Sequence, residues 1–189
     1  MRILVDVDGI ITDTLPAWLK RIHETTGVKA KVSDITKWNL NECPPLDQVP
    51  VADLMAPLNE PGFTAHLPMM ADADIFLKKL HDAGHDVNVV TARHGIVCTA
   101  ETLQWFKAMM PWFDSSQKLW FLRDKHLMAA DVLIDDKVEN LAAYKKAHPK
   151  AHLITISYPY NTHAPLETRR IHKDGYEWEA IESYIRNKL

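Results

Sequence analysis

The sequence predicts an α/β fold with a Rossmann-like, three-layer core, a five-stranded parallel sheet and a small helical cap inserted after the first strand. Short apolar runs typical of buried strands recur along the chain, and segments with helical periodicity alternate with them. Because this alternation requires crossover connections, it favours a parallel sheet with helices on both faces. One long interruption of the alternation predicts the cap.

The core elements follow from these runs. The strands are predicted at residues 2–6, 86–91, 118–122, 131–135 and 152–157. Helices are predicted at about 72–84, 99–109, 138–147 and 176–187. Gly84 stands where a glycine commonly ends a helix, and Trp178, Ile181 and Ile185 form one apolar stripe on the last helix. We therefore expect that stripe to face the core.

The interruption lies between the first strand and the helix at 72–84. It is far longer than an ordinary loop and contains no convincing strand. A helix is predicted at 15–26, started by Thr14 with Pro16 in its first turn, and a second helix is predicted at 51–58. Six prolines punctuate the rest of this stretch.

We interpret residues 14–70 as the helical cap, and residues 1–13 together with 71–189 as the core. A cap inserted at this point would lie over the carboxyl end of the first strand. Lids in such positions exclude water and select substrates.

Composition narrows the possible partners. The chain has 189 residues, 47% of them hydrophobic and 25% charged, which is typical of one soluble globular domain with a modest insertion. A net charge of −3 gives no footprint for nucleic acid or an anionic membrane, so we expect neither partner. Cys43 and Cys98 show no disulfide or metal-ligand spacing, and the first apolar run soon reaches Asp6. These features favour a cytoplasmic protein without a signal peptide.

Two acids, Asp6 and Asp8, follow the first strand and are followed by Gly9. In an extended chain, residues two apart share a face. One carboxylate could attack phosphorus while the other protonates the departing alkoxide, with a divalent cation screening the charges. The glycine would let the chain turn sharply there. An ordinary turn after a strand is the alternative interpretation of this short motif.

Polar residues also follow the next two strands. Thr91-Ala92-Arg93 ends the second, where Thr91 could donate its hydroxyl to a phosphoryl oxygen and Arg93 could also face phosphate. The alternative interpretations are that Thr91 only ends the strand and that Arg93 is a solvated loop residue. Lys125, after the third strand, could hold the phosphate as a point charge, with Lys118 as a competitor for that role.

The fourth strand ends in the adjacent acids Asp135 and Asp136. Two neighbouring carboxylates repel each other, and a bound cation would remove that objection. The carboxyl ends of parallel strands share one edge of the sheet, where ligands bind, so all four fragments should converge there. This combination indicates Mg²⁺-dependent transfer of a phosphoryl group onto an aspartate.

In this order, the four fragments resemble the motifs of the haloacid dehalogenase-like superfamily of aspartate-nucleophile phosphatases. More narrowly, the chain resembles the 5′(3′)-deoxyribonucleotidase family of bacterial or phage type. The closer resemblance rests on residues 3–10, 123–125 and 130–136, together with Pro159-Tyr160-Asn161 and Trp178.

This resemblance implies a role for each motif residue. Asp6 is the nucleophile, and Asp8 is the general acid/base whose backbone carbonyl also ligates Mg²⁺. Thr91 and Lys125 bind the phosphoryl group. Asp136 is favoured as the direct Mg²⁺ ligand, with Asp135 supporting Lys125 or a bound water. The resemblance also implies a central first strand and a nucleoside monophosphate as the small phosphate monoester substrate.

The chain departs from the family pattern at three points. Thr91-Ala92-Arg93 differs from the Thr-Ser form of the mammalian enzymes, His126 stands in place of a threonine, and Thr14 replaces an aromatic residue that helps to hold the base. These departures leave a sugar phosphate or another small metabolite as an alternative substrate. A non-catalytic binding protein on the same scaffold is a further alternative, and a homodimer is left open.

The cap offers three aromatic candidates for contact with a nucleobase: Trp18, Trp38 and Phe63. Stacking of one base on an aromatic ring contributes about 1–3 kcal/mol. Trp18 shares a helix face with apolar residues, so we predict that it fills the cap core. Trp38 lies in a polar stretch and is our candidate for substrate binding, with core filling as the alternative.

Overall fold

A parallel sheet forms the centre of the protein. The computed structural model describes residues 1–189, apart from the side chain of Lys188. The described chain contains six strands: β1 (Arg2–Val5), β2 (Asp86–Thr91), β3 (Leu119–Phe121), β4 (Val132–Ile134), β5 (His152–Ile156) and β6 (Arg169–Ile171). Their order across the sheet is β3-β2-β1-β4-β5-β6, and every neighbouring pair is parallel. The first strand therefore lies inside the sheet, as expected.

The prediction of five strands is wrong by one. The five predicted strands are present, but β6 adds a sixth along the edge beside β5, pairing Ile154 with Arg169 and Ile156 with Ile171. Two of its three residues are arginines, and only Ile171 is buried. Because an edge strand is covered on one side alone, it needs no apolar run, and the sequence carries no strand signal there.

Helices cover both faces of the sheet. The helices are α1 (Thr14–Thr26), α2 (Val51–Met55), α3 (Ala73–Asp82), α4 (Ile96–Met109), α5 (Ser115–Lys118), α6 (Val138–Ala147) and α7 (Glu177–Lys188). On one face, Ile3 and Val5 pack in a cluster with residues of α3, α4 and α7, including Trp178. On the other face, Leu4 packs with Tyr144 of α6. The alternation along β1 thus separates two cores and produces the predicted three layers.

A separate apolar cluster occupies the stretch between β1 and α3. Leu19 and Ile22 of α1 pack there against Leu46 and Leu54. The predicted second helix is shorter than expected, because α2 ends at Met55 and a 3₁₀ turn, Ala56–Asn59, continues the chain. Pro57 in that turn has no amide hydrogen to donate to an α-helix.

The two chain segments that enter and leave this stretch lie side by side. Thr12 pairs with Met69 in an antiparallel bridge. The amide of Asp13 donates to the carbonyl of Pro68, and the amide of Met70 donates to that of Ile11. The chain therefore enters and leaves this stretch through one paired, two-stranded neck, and the 3₁₀ turn Thr64–His66 also packs against α4. None of the helices in the described residues is long and apolar enough to cross a membrane.

The start of α1 differs from the prediction. The helix includes Thr14, and Asp13 occupies the capping position without a side-chain capping bond. The Thr14 hydroxyl instead donates to Oδ1 of Asp8 at 2.6 Å. The Thr14 hydroxyl therefore bonds the acid motif and does not cap its own helix.

Candidate active site

The site lies at the carboxyl edge of the sheet, where β1 and β4 end side by side. Asp6 follows β1, and its amide donates to the carbonyl of Ile134 at 2.9 Å, which continues the pairing of the two strands. Asp135 and Asp136 follow β4 directly. The strand ends therefore bring three carboxylates together, and each offers one oxygen within 4.8 Å of the others.

Lys125 is buried among these acids. It begins a one-turn 3₁₀ helix after β3, and its Nζ lies 2.8 Å from Oδ1 of Asp6 and 2.6 Å from Oδ2 of Asp135. Burial alone would lower the pKa of Lys125, but the attraction of Asp135 and Asp6 outweighs it and raises that pKa. The ammonium group therefore stays charged. The competing Lys118 instead bonds Asp86 at the start of β2, at 2.6 Å.

The two neighbouring acids face different partners. Both oxygens of Asp135 are occupied, by Lys125, by the Lys137 amide at 2.8 Å and by the Asn140 side chain at 3.0 and 3.2 Å. Asp136 accepts one hydrogen bond, from the hydroxyl of Tyr160 to Oδ2. Its Oδ1 is buried and has no hydrogen-bond partner among the described residues. One buried carboxylate oxygen is therefore left for a ligand.

Electrostatic crowding shapes the protonation of this cluster. Burial raises the pKa of Asp6 to about 7. Attraction by Lys125 opposes this increase, and repulsion from Asp135 and Asp8 adds to it. Burial, followed by repulsion from Asp6, also raises the pKa of Asp136 well above its usual range. Such a group of hard oxygen ligands suits Mg²⁺ and would be stabilised in its charged form by a divalent cation.

Asp8 faces away from this cluster and towards Arg93. Nη2 of Arg93 donates to Oδ1 at 2.7 Å, and Nε donates to Oδ2 at 3.1 Å. The guanidinium also donates to Thr102 at 3.0 Å and to Thr12 at 3.3 Å. Burial would raise the pKa of Asp8, but Arg93 and Thr14 hold it below its usual range. The Asp8 carboxylate is therefore ionised and fixed.

Arg93 itself does not behave as a solvated loop residue. Its side chain is only 6% exposed, so that alternative is wrong. The guanidinium is occupied by Asp8 and by two hydroxyl groups, and its part in binding phosphate stays a prediction. Thr91 is buried at the end of β2, and its hydroxyl accepts the Arg93 amide at 3.2 Å. Ala92 is exposed between them.

Tyr160 is a residue of the site to which the sequence assigned no role. It follows β5, at the same edge of the sheet, and donates to Asp136 at 2.5 Å. Its neighbour Asn161 donates to the backbone carbonyl of Asp136 at 3.0 Å. The only sequence signal for a role of Tyr160 was the position of an aromatic residue just beyond the end of a strand. Its partner could not be inferred, because the two residues are 24 positions apart.

Trp18 and Trp38 occupy different environments. Trp18 packs against the apolar cluster between β1 and α3, and its Nε1 donates to the carbonyl of Leu54 at 2.6 Å, which agrees with the predicted core position. Trp38 is 40% exposed and meets Tyr160 edge-on, with ring centroids 5.6 Å apart. The Lys137 ammonium lies 4.8 Å from the centroid of the Trp38 ring. Trp38 is therefore a half-exposed aromatic beside the acidic cluster.

Comparison with solved structures places this fold among those of haloacid dehalogenase-like hydrolases. The fold matches a crystal structure of a hydrolase from Pseudomonas syringae with a TM-score of 0.58 and 14% identity, over 98% of this chain and 99% of that chain. It also matches a HAD family hydrolase from Deinococcus radiodurans, crystallised with bound phosphate and sodium, with a TM-score of 0.53 and 15% identity over 95% and 93% of the two chains. At these identities the two comparisons show the fold that this chain shares with such hydrolases.

Sequence comparisons define the family of this chain more narrowly. The model of the family described as 5′ nucleotidase, deoxy (Pyrimidine), cytosolic type C protein matches residues 1–189. A 5′(3′)-deoxyribonucleotidase of Clostridium acetobutylicum is 31% identical over 142 residues, which are 75% of this chain and 76% of that protein. The chain belongs to this nucleotidase family, and the resemblance found in its motifs is confirmed.

Proposed function

We propose that the protein is a Mg²⁺-dependent 5′(3′)-deoxyribonucleotidase that hydrolyses nucleoside monophosphates through an aspartyl-phosphate on Asp6. One observation carries this proposal: the Asp6 carboxylate is held by Lys125 beside Asp136, whose Oδ1 is buried without a partner among the described residues. Family membership and the name of the Clostridium relative support the substrate class.

The residues present fit a divalent cation. Asp136 has an unused buried oxygen, Asp6 lies within reach of the same point, and both carboxylates are destabilised by their neighbours. These two side chains and the backbone carbonyl of Asp8 would hold Mg²⁺. When bound, the cation would screen carboxylate from phosphate and stabilise the charge that develops in the transition state.

Hydrogen bonding favours one oxygen of Asp6 as the attacking atom. Among the described residues, the Val7 amide at 2.7 Å and the Lys125 ammonium at 2.8 Å both bind Oδ1 of Asp6. Oδ2 is therefore the oxygen available to attack phosphorus. As the new oxygen–phosphorus bond forms, the bond to the nucleoside oxygen breaks, and Lys125 and Thr91 hold the phosphoryl oxygens. The ester is thereby exchanged for an acyl phosphate on Asp6.

Asp8 would serve both halves of the reaction. In the first, it donates a proton to the departing nucleoside oxygen. In the second, it takes a proton from the water that attacks the phosphoryl group, which releases phosphate and regenerates Asp6. The pairing with Arg93 suits the base, because it keeps Asp8 ionised. To act as the acid, Asp8 must turn from Arg93 and gain a proton.

We also propose that residues 14–70 act as a cap over this site. Their separate apolar cluster and the paired neck at Thr12 and Met69 support a distinct unit beside the core. Trp38 in this stretch is exposed beside Tyr160 and is the candidate platform for the nucleobase. Closure of such a unit would exclude water from the acyl phosphate.

The test is phosphate release from nucleoside 5′- and 3′-monophosphates, sugar phosphates and an aryl phosphate, each with Mg²⁺ and with a chelator. We expect release that depends on the metal and favours nucleotides. Preference for sugar phosphates would retain the mechanism and overturn the nucleotidase assignment. Absence of metal-dependent release from every substrate would favour the non-catalytic alternative.

A further inference from the structure

The Tyr160 hydroxyl is fixed by the packing of its ring. The ring stacks on Tyr158, with centroids 5.0 Å apart and planes 10° from parallel, and Trp38 meets it edge-on from the cap. Aromatic pairs in these geometries are favourable beyond the area they bury. Because the ring is held between two neighbours, its hydroxyl group has a defined position, 2.5 Å from Oδ2 of Asp136.

This contact makes the two oxygens of Asp136 inequivalent. Oδ2 accepts a hydrogen bond from the Tyr160 hydroxyl, whereas Oδ1 is buried without a partner among the described residues. A buried acceptor left unsatisfied costs free energy, so its persistence calls for an explanation such as a bound ion. The hydrogen bond to Oδ2 thus determines which oxygen remains available.

Gly9 supplies a second, independent sign that the chain accommodates this contact. Its φ of +72° lies in the left-handed region, and a Cβ there would overlap Oδ2 of Asp136 and approach the Tyr160 hydroxyl to 3.4 Å. The absence of a side chain at Gly9 therefore leaves room for both the carboxylate and the phenol. The backbone of the acid motif and the loop after β5 meet at the same point.

We propose that Tyr160 is a positioning residue for the metal site: by donating to Oδ2, it holds Asp136 so that Oδ1 alone faces the cation. This inference rests on the proposed function, since it assumes that Asp136 is a metal ligand. Mg²⁺ prefers one oxygen from each ligand in an octahedral shell, and groups that hydrogen-bond a ligating carboxylate fix its orientation. Tyr160 contacts Trp38 of residues 14–70 and also bonds Asp136, so this one side chain connects that stretch with the proposed metal site.

The test removes the hydroxyl and retains the ring. Tyr160→Phe should bind metal roughly 10–100-fold more weakly than the wild type, the usual effect of losing a partner of a ligand. Affinity is measured directly, with Mg²⁺ by calorimetry and with Mn²⁺ by electron paramagnetic resonance, without substrate. The Mg²⁺ concentration needed for half-maximal phosphatase activity should rise by the same factor, and excess Mg²⁺ should restore most of kcat.

Tyr144→Phe is the matched control. Tyr144 is also a buried tyrosine, but its hydroxyl donates to the carbonyl of Met128 at 2.9 Å on the other face of the sheet. Loss of that bond should lower Tm and leave metal affinity unchanged. Circular dichroism of both variants verifies that they are folded at the temperature of the titrations. Equal losses of metal affinity in the two variants would overturn the proposal, because they would reflect general destabilisation.

A double-mutant cycle with Asp136→Asn tests whether Tyr160 affects metal binding through Asp136. If Tyr160 acts through Asp136, Tyr160→Phe should have no further effect on metal affinity in the Asp136→Asn background. Additive losses would overturn the proposal, and so would wild-type affinity in the single Tyr160→Phe variant. A wild-type protein that binds neither metal would overturn the proposed function as well. These outcomes distinguish failure of the positioning role from failure of the metal-dependent mechanism.

Discussion

Arg93 holds both carboxylate oxygens of Asp8, through bonds of 2.7 and 3.1 Å. This pair links the ends of β1 and β2, and it controls the group proposed as the acid and base. Bidentate arginine–carboxylate pairs are among the stronger hydrogen-bonded contacts in proteins. The neck residue Thr12 and the first residue of α1, Thr14, join the same network. Asp8 is thus connected to the segment that leads from the core into residues 14–70.

The first prediction concerns Arg93→Lys. Lysine cannot form the bidentate contact with Asp8, so the pKa of Asp8 should rise towards its ordinary value. Because the base form of Asp8 is lost as pH falls through this pKa, the acidic limb of the kcat–pH profile should move to higher pH. Arg186→Lys, at an exposed position of α7, is the control. An unchanged acidic limb in Arg93→Lys would show that this pair does not tune Asp8.

The second prediction concerns Asp6→Asn, which should reduce turnover to the uncatalysed background while the fold is retained. Since the pKa of Asp6 is raised to about 7, the folded state binds its proton more tightly than the unfolded state does. Wild-type stability should therefore fall as pH rises from about 4 to 7 in the absence of metal, and Asp6→Asn should lack this loss.

The comparison is made by thermal and chaotrope unfolding with chelator present, at pH 4.5 and pH 8. At pH 8, Asp6→Asn should be more stable than the wild type by roughly 1–3 kcal/mol, with a smaller difference at pH 4.5. Retained phosphatase activity would contradict the nucleophile assignment. A stability difference that does not vary with pH would contradict the electrostatic argument.

The third prediction separates backbone strain from a clash in the metal site. Gly9 and Gly27 have nearly the same φ, +72° and +76°, but a Cβ at Gly27 has nothing within 4 Å. Gly27→Ala and Gly9→Ala should both lose about 1–2 kcal/mol of stability from the left-handed conformation. Gly9→Ala alone should also weaken metal binding, because its methyl group displaces the Asp136 carboxylate. Equal metal affinities in the two variants would show that Asp136 adjusts without consequence.

The fourth prediction concerns Trp38→Ala. Loss of a stacked base should raise KM for nucleoside monophosphates by roughly 5–150-fold, corresponding to about 1–3 kcal/mol. KM for a small aryl phosphate should change far less, since that ester does not reach the cap. Trp120→Ala is the control, because Trp120 has similar exposure, 44% against 40%, but lies on β3. Equal increases for both substrates would identify Trp38 as structural.

Much of the architecture could be predicted because strand ends are encoded locally. Val132, Leu133 and Ile134 form an apolar run that stops at two acids, and the same signal marks Asp6 and Thr91. Parallel pairing then brings such ends to one edge. The strand β6 carried no such signal, because edge strands can be polar. The length of α2 was predicted wrongly because Pro57 lies in the 3₁₀ turn that follows it. The start of α1 was predicted wrongly because the Thr14 hydroxyl bonds Asp8, a tertiary contact.

The sequence by itself determined the fold class, the family and the set of acids at the sheet edge, because apolar runs and motif order are properties of neighbouring residues. Tertiary structure alone decided how these groups are paired. Asp135 and Asp136 are adjacent, yet one bonds Lys125 and the other Tyr160. Arg93 reaches Asp8 across 85 positions of the chain. Such partners depend on how strands, loops and cap pack, and packing fixes side-chain directions that no local pattern records.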